Sequence, residues 1–273
     1  VLSFYKNIET IHKLRILIAL SSFFGAWTIY YTIVNFETGI YYLILSRLYT
    51  IFVLGVGIEI GWHRLISHRS YETSLFMERF LGFVGLLNAQ GGPIDWVAAH
   101  RQHHIHSDTD KDPYPATLGL WKLFTAQIKV KDFDKRVLVS ILRDRIWKDP
   151  YFQFLNKWWF EIQIVLGLII ALISFELFLF GYAFPMFSSV IGGRIFITYF
   201  GHSNFLTSYR SHETKDDSVN SWIWWVIGFP NPTSFHNTHH KFPKQSDHSG
   251  NKWWEWDMWG KIINLIKYNP KVN

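Results

Sequence analysis

The run Ile16–Val34 (ILIALSSFFGAWTIYYTIV) carries no charge, and a helix needs about 20 mostly apolar residues to cross a bilayer core. A short connection, Asn35–Gly39, leads into Ile40–Ile60, uncharged apart from Arg47 and Glu59. The same pattern returns later. Trp158–Phe180 is broken only by the charges of Glu161 and Glu176, and Gly181–Phe200 follows with Pro185, Gly192-Gly193 and Arg194. Four spans in two hairpins, about 16–34, 40–60, 158–180 and 181–200, are the expectation. Buried helices of a soluble protein are the competing reading, but such helices rarely run this far without a polar face. No short apolar stretch with a small-residue cleavage site precedes the first run, so it is expected to be an anchor, not a signal peptide.

Lys and Arg set the orientation. All 27 except Arg47 and Arg194 lie before the first span, between spans two and three, or after span four. By the positive-inside rule both termini and the large middle region are cytoplasmic. The net charge of +6 is then a basic face beside anionic headgroups, and nucleic acid is not required to explain it. The fold expected is all-α and integral to the membrane, a single unit over residues 1–273. A helical cytoplasmic cap is formed from residues 61–157 and 201–273. Within it Phe76–Asn88 is too short to cross and reads as an interfacial or re-entrant helix, and Lys129–Pro150 as a helix on the membrane surface. Asp108–Pro115 (DTDKDPYP) reads as a turn-rich loop.

Histidine is the second constraint. Of 13 residues, eight fall in three groups: His63-Arg-Leu-Ile-Ser-His68, His100-Arg-Gln-His103-His104 and His236-Asn-Thr-His239-His240. All three sit on the cytoplasmic side of the expected topology. On an α-helix, positions i, i+3 and i+4 share a face within about 100°. The adjacent pair in each His-x-x-His-His group diverges, so one member can serve one metal while its neighbour serves another. His63 and His68 would point about 140° apart on a straight helix, which places them where span two ends and the chain bends. Imidazole suits Zn, Cu, Fe and Ni. A zinc site takes three or four protein ligands, so eight histidines are too many for one zinc and suit two metals. Few carboxylates lie inside the groups, unlike the Glu-rich di-iron sites of soluble bundles. The absence of cysteine excludes disulfides, thiolate metal sites and a cysteine nucleophile.

HRLISH, HRQHH and HNTHH resemble the three histidine boxes of membrane fatty acyl desaturases, the Δ9 group in particular. The flanks GWHRLISHRSY, the Asp95-Trp96 pair before HRQHH, SDTDKDPY, SVNSWIWW and WWEWDM resemble that family too, and the likeness runs from about Trp62 to Met258. It implies a centre of two Fe ions that uses O₂ to place a cis double bond, at Δ9, in a saturated acyl chain. The implied metal ligands are His63, His68, His100, His103, His104, His236, His239 and His240, with a ninth near the end of the fourth span. For the ninth, His202 is the candidate and His212 the alternative. The family has Asn four residues before that histidine, where this chain has Thr198. The family's Gly-Glu-Gly before the third box is replaced by Asn231-Pro232-Thr233.

Other residues are less informative. His106 is expected to face away from the second group. Asp108 and Asp110 could orient imidazoles, or simply belong to a solvated turn. Arg47, Arg194, Glu59 and Glu161 lie in or at spans, where charge marks function by default, although snorkelling also accounts for the two glutamates. Trp253-Trp254-Glu255-Trp256 reads as contact with the membrane interface. His12 and His248 have no partners in sequence and receive no role.

The sequence lacks a His-Pro-Gly-Gly haem segment, cysteines for an iron–sulfur cluster and a Gly-x-Gly-x-x-Gly fingerprint. A separate electron donor is therefore expected, cytochrome b5 or ferredoxin, and the basic face suits an acidic partner. The substrate expected is an acyl-CoA or acyl-lipid, and the location the bacterial inner membrane or the endoplasmic reticulum. A histidine-rich hydroxylase or ketolase is the alternative within this chemistry. A metal transporter or membrane receptor is a third reading, but transport would place ligands along a path within the spans.

Overall fold

The computed structural model describes residues 8–127, 133–222, 232–250 and 252–268. It is mostly helical, and four helices are long and apolar enough to cross a membrane: Thr10–Val34, Phe36–Ser67, Pro150–Ile173 and Phe175–His202. Helix α1 (Ile8–Val34) turns at Asn35 into α2 (Phe36–Val53), which runs on as a π-helix over Leu54–Ser67. The cap follows with α3 (Leu75–Leu86), α4 (Pro93–His106), α5 (Leu120–Phe124), α6 (Lys135–Arg143) and α7 (Arg145–Lys148). The second hairpin is α8 (Pro150–Ile173), then α9 (Phe175–Phe178) and α10 (Phe184–Ile191), continued through π and 3₁₀ turns to His202. Beyond it come α11 (His236–Lys241) and α12 (Met258–Ile266). A two-residue antiparallel pairing, β1 (Ser208–Tyr209) with β2 (Asn220–Ser221), places Ser208 opposite Ser221.

The spans turn outward what a soluble protein would bury: Phe23, Tyr30, Leu48, Leu168 and Leu172 are all exposed, as hydrocarbon permits. Aromatic contacts join the hairpins near their turns, Trp27 to Phe175 and Tyr42 to Phe180. A tight crossing lies nearer the histidines, where the π-helix meets α3. A Cβ on Gly57 would come 2.7 Å from the Gly85 nitrogen, so only glycine allows this approach of backbone to backbone. Trp62 Nε1 donates to Gly82 O at 2.9 Å across the same contact.

Several boundaries differ from the sequence reading. The second span continues to Ser67 instead of stopping at 60, so His63 rides on the span itself and His68 caps it. The third helix ends at Ile173, not 180. Ser174 is extended, and its hydroxyl accepts from Leu177 N to start the next helix. That helix also begins early, at Pro150, where Asp149 caps Tyr151 N. The single surface helix expected over 129–150 is two pieces split at Asp144, and residues 128–132 lie outside the described part. Asp144 earns the break by capping Ile146 N and accepting from Arg101 at 2.7 Å and from Arg69.

Candidate metal centre

The π-helix resolves the awkward spacing of the first histidine pair. Its ladder joins residues five apart, and His68 N donates to His63 O at 3.1 Å. The two rings, which a straight α-helix would turn apart, stand 4.9 Å apart between centroids. Helix α4 supplies His100 and His104 one turn apart, and α11 supplies His239. One ligand atom from each of His63, His68, His100, His104 and His239 lies within 4.8 Å of all the others. Nε2 atoms face one another: His68 to His100 at 2.8 Å, His100 to His104 at 3.1 Å, and His239 to both His63 and His104 at 2.9 Å.

His103, His202, His236 and His240 form a second group within the same limit, with His202 and His236 Nε2 at 2.9 Å. The adjacent members of each His-x-x-His-His motif part company as helical geometry requires. His104 and His239 join the first group, His103 and His240 the second.

Carboxylates stand behind the rings. His63 Nδ1 meets Glu59 at 2.8 Å, and at 2.9 Å His103 Nδ1 meets Asp112, His202 Nδ1 meets Asp108 and His240 Nδ1 meets Asp216. A carboxylate only accepts, so each of these Nδ1 atoms carries the proton and each Nε2 presents a lone pair. Lone pairs converging at about 3 Å repel unless a cation lies among them. Two ligands about 2.1 Å from one metal and at right angles are about 3 Å apart, which matches the spacing. The donor set therefore fits two metal ions.

Electrostatics favour the same form. Burial first, then neighbouring histidines, hold His100, His104, His236, His239 and His240 well below the ordinary imidazole value. His68 behaves likewise, with Arg101 and Arg64 adding to the effect. His103 is the exception. Burial disfavours its charge, but Asp112 outweighs that and raises its pKa.

The structure brings all eight box histidines and His202 together. His212 stays outside, its ring edge-on to Phe242 at 5.0 Å and its backbone N–H donating to Asn237. Thr198 Oγ1 donates to Gly193 O within its own helix. His106 faces Asp134 at 3.1 Å, away from both groups. Asp108, at φ 61°, also accepts from Asp217 N at 2.8 Å, joining the loops behind His202 and His240. Asn231 lies outside the described residues, as do the side chains of Pro232 and Thr233.

Carboxylates that seemed scarce lie one layer behind the rings, and sequence distance hid Asp112 and Asp216. Glu59 does not snorkel. It is buried and receives Arg64 Nε at 2.8 Å. Glu161 pairs with Lys13 at 2.7 Å. Arg64 also reaches Asp257 at 2.5 Å, and Asp257 accepts the His248 backbone N–H at 2.8 Å. The sequence reading gave His248 no role, yet its ring is buried beside His239.

A cavity runs along the histidines. Leu54, Ile58, Leu123 and Ile197 form its apolar wall, while His63, His100, His103 and His236 face the same space. An alkyl chain lying there would be stripped of water and held against both groups at once.

The family model for fatty acid desaturase matches residues 38–260. The sn-1 stearoyl-lipid 9-desaturase of Anabaena variabilis is 36% identical over 221 residues, covering 78% of this chain and 76% of its own. The sn-2 palmitoyl-lipid 9-desaturase of Nostoc sp. (strain 36) is 31% identical, covering 78% and 73%. Delta-9 acyl-lipid desaturase 1 of Arabidopsis thaliana is 30% identical, covering 78% and 68%. With four membrane-length helices and histidine clusters that fit a metal site, the chain is an oxidoreductase of the membrane and belongs to the fatty acid desaturase family.

Proposed function

We propose that this chain places a cis double bond at Δ9 of a saturated acyl chain carried on a membrane lipid, using two irons held by the nine histidines. The overall change is –CH₂–CH₂– + O₂ + 2e⁻ + 2H⁺ → –CH=CH– + 2H₂O. The single observation carrying this reading is the apolar cavity laid against both histidine groups. Unactivated methylenes give the protein nothing to polarise, so oxidising power must come from the metals. The bound irons would supply O₂ activation. The protein holds the alkyl chain in register and keeps bulk water from it, and the ordered imidazoles fix where the metals sit.

The lipid carrier is supported by the relatives, whose names specify stearoyl-lipid, palmitoyl-lipid and acyl-lipid substrates. The charge asymmetry of the sequence supports a cytoplasmic site with both termini on that side. Electrons come from a separate donor of the cytochrome b5 or ferredoxin class.

Expression of the chain in a desaturase-deficient host, with mass-spectrometric location of new double bonds, tests this reading. A cis double bond at C9 of lipid-bound chains is expected. A hydroxyl at C9 or C10 would transfer the assignment to a hydroxylase, and a double bond elsewhere would overturn the Δ9 position alone.

A further inference from the structure

Four of the nine clustered histidines have a carboxylate at Nδ1, and Tyr114 OH lies 3.4 Å from His100 Nδ1. His239 is different. Its Nε2 faces His63 and His104, while its Nδ1 is buried and has no hydrogen-bond partner among the described residues. Beside it stands His248, 1% exposed, whose Nε2 is likewise buried without a partner among the described residues. Two orphaned nitrogens on touching rings are costly separately and complementary together, since a buried polar group left without a hydrogen bond bears its full desolvation cost.

The geometry allows the pairing. The His239 and His248 centroids are 5.0 Å apart with the rings tilted by 58°. Elsewhere in the site, centroids at 4.9 Å for His68 and His100 and at 4.8 Å for His202 and His236 accompany Nε2–Nε2 distances of 2.8 and 2.9 Å. A centroid separation of 5.0 Å is thus in the range at which imidazoles of this site already bring ring nitrogens within hydrogen-bond distance. The backbone is also fixed: the His248 N–H donates to Asp257, Asp257 accepts from Arg64, Arg64 donates to Glu59, and Glu59 accepts from His63. Both histidines facing each other across the first group, His63 and His239, thus back onto one buried network centred on Arg64.

We propose that His248 is a positioning residue for the first metal, its Nε2 accepting the Nδ1–H of His239 in the role that carboxylates play behind His63, His103, His202 and His240. A neutral imidazole is a weaker acceptor than a carboxylate. His239 is consequently less electron-rich than its carboxylate-backed neighbours, which makes the two metals of this chain electronically unequal. This inference rests on the metal reading given under Proposed function.

The test uses the full chain in detergent, stripped with chelator and reloaded with ferrous iron, as wild type, His248→Ala and His248→Gln. The readouts are iron per chain, the rate of iron release to a competing chelator, and Mössbauer spectra. Removing an outer partner of a metal ligand typically costs about 10–100-fold in affinity. His248→Ala is therefore expected to release one of two irons about 10–100-fold faster, and to shift one of two Mössbauer signals. His248→Gln, whose amide oxygen still accepts, is expected to recover most of the slow release. Wild-type release of both irons from His248→Ala would overturn the inference, as would equal acceleration of both irons. A folded His248→Gln no better than His248→Ala would also overturn it. If wild type itself binds no iron, the metal reading falls and takes this inference with it.

Discussion

His103 and His104 are consecutive on α4 yet belong to different groups. His104 Nε2 lies 2.9 Å from His239 Nε2, whereas the His103 ring stands 4.9 Å from that of His202. The step of about 100° per residue divides them, and the same division separates His239 from His240. Each single variant should therefore damage one metal first. His104→Ala is expected to lose the iron of the first group, and His103→Ala that of the second. Both should lower turnover by at least about 100-fold, the upper end of what an outer partner costs. Iron counts on the purified variants check this. Two irons retained in either variant would remove that residue from the ligand set.

The acids behind the rings make a graded prediction. Asp112→Asn and Asp216→Asn keep an oxygen that can accept from Nδ1, whereas Asp112→Leu and Asp216→Leu do not. The leucine variants should lose about 10–100-fold in activity or iron affinity, and the asparagine variants less. Equal losses for Asn and Leu would mean that charge, not orientation, is what these residues supply.

His202 and His212 were both candidates for the ninth ligand. His202 lies in the second group with Asp108 behind it, and His212 packs on Phe242. His202→Ala should behave like His103→Ala, while His212→Ala keeps iron and turnover near wild type. An inactive His212→Ala that still folds, beside an active His202→Ala, would reverse the assignment.

Acid should loosen the metal-free fold. His68, His100, His104, His236, His239 and His240 have depressed folded values, by burial first. Below the ordinary value of about 6.5 the unfolded chain takes up protons that the fold refuses. Their contribution to stability is complete above that value, declines as pH falls through it, and levels off at the depressed folded values. His103, raised by Asp112 against its burial, works in the opposite direction, and one histidine does not offset six. The thermal midpoint of the chelator-stripped protein should fall steadily between about pH 7 and about pH 5. A flat or rising midpoint would contradict the burial of these rings as neutral bases.

What the sequence revealed, and what it hid, follows from distance along the chain. The four apolar runs were legible because hydrocarbon leaves a spanning helix no choice of residue. The His-x-x-His-His motifs were legible because their geometry is local. How His63 and His68 come together was not legible, because five-residue spacing is wrong for an α-helix and nothing in LGVGIEIGWHRLIS announces a π-helix. The end of the third helix was missed because Ser174 is a cap hidden in an apolar run. Asp216 and His248 could not be read at all. Asp216 meets a histidine 24 residues away, and His248 depends on a network that begins at Glu59.

The central claim is that these histidines hold two irons. The measurement that tests it most directly is the metal content of the full-length chain, purified in active form and assayed by elemental analysis. Two irons per chain with no stoichiometric zinc is the predicted result. Active protein carrying one iron or none, or zinc in place of iron, would contradict it.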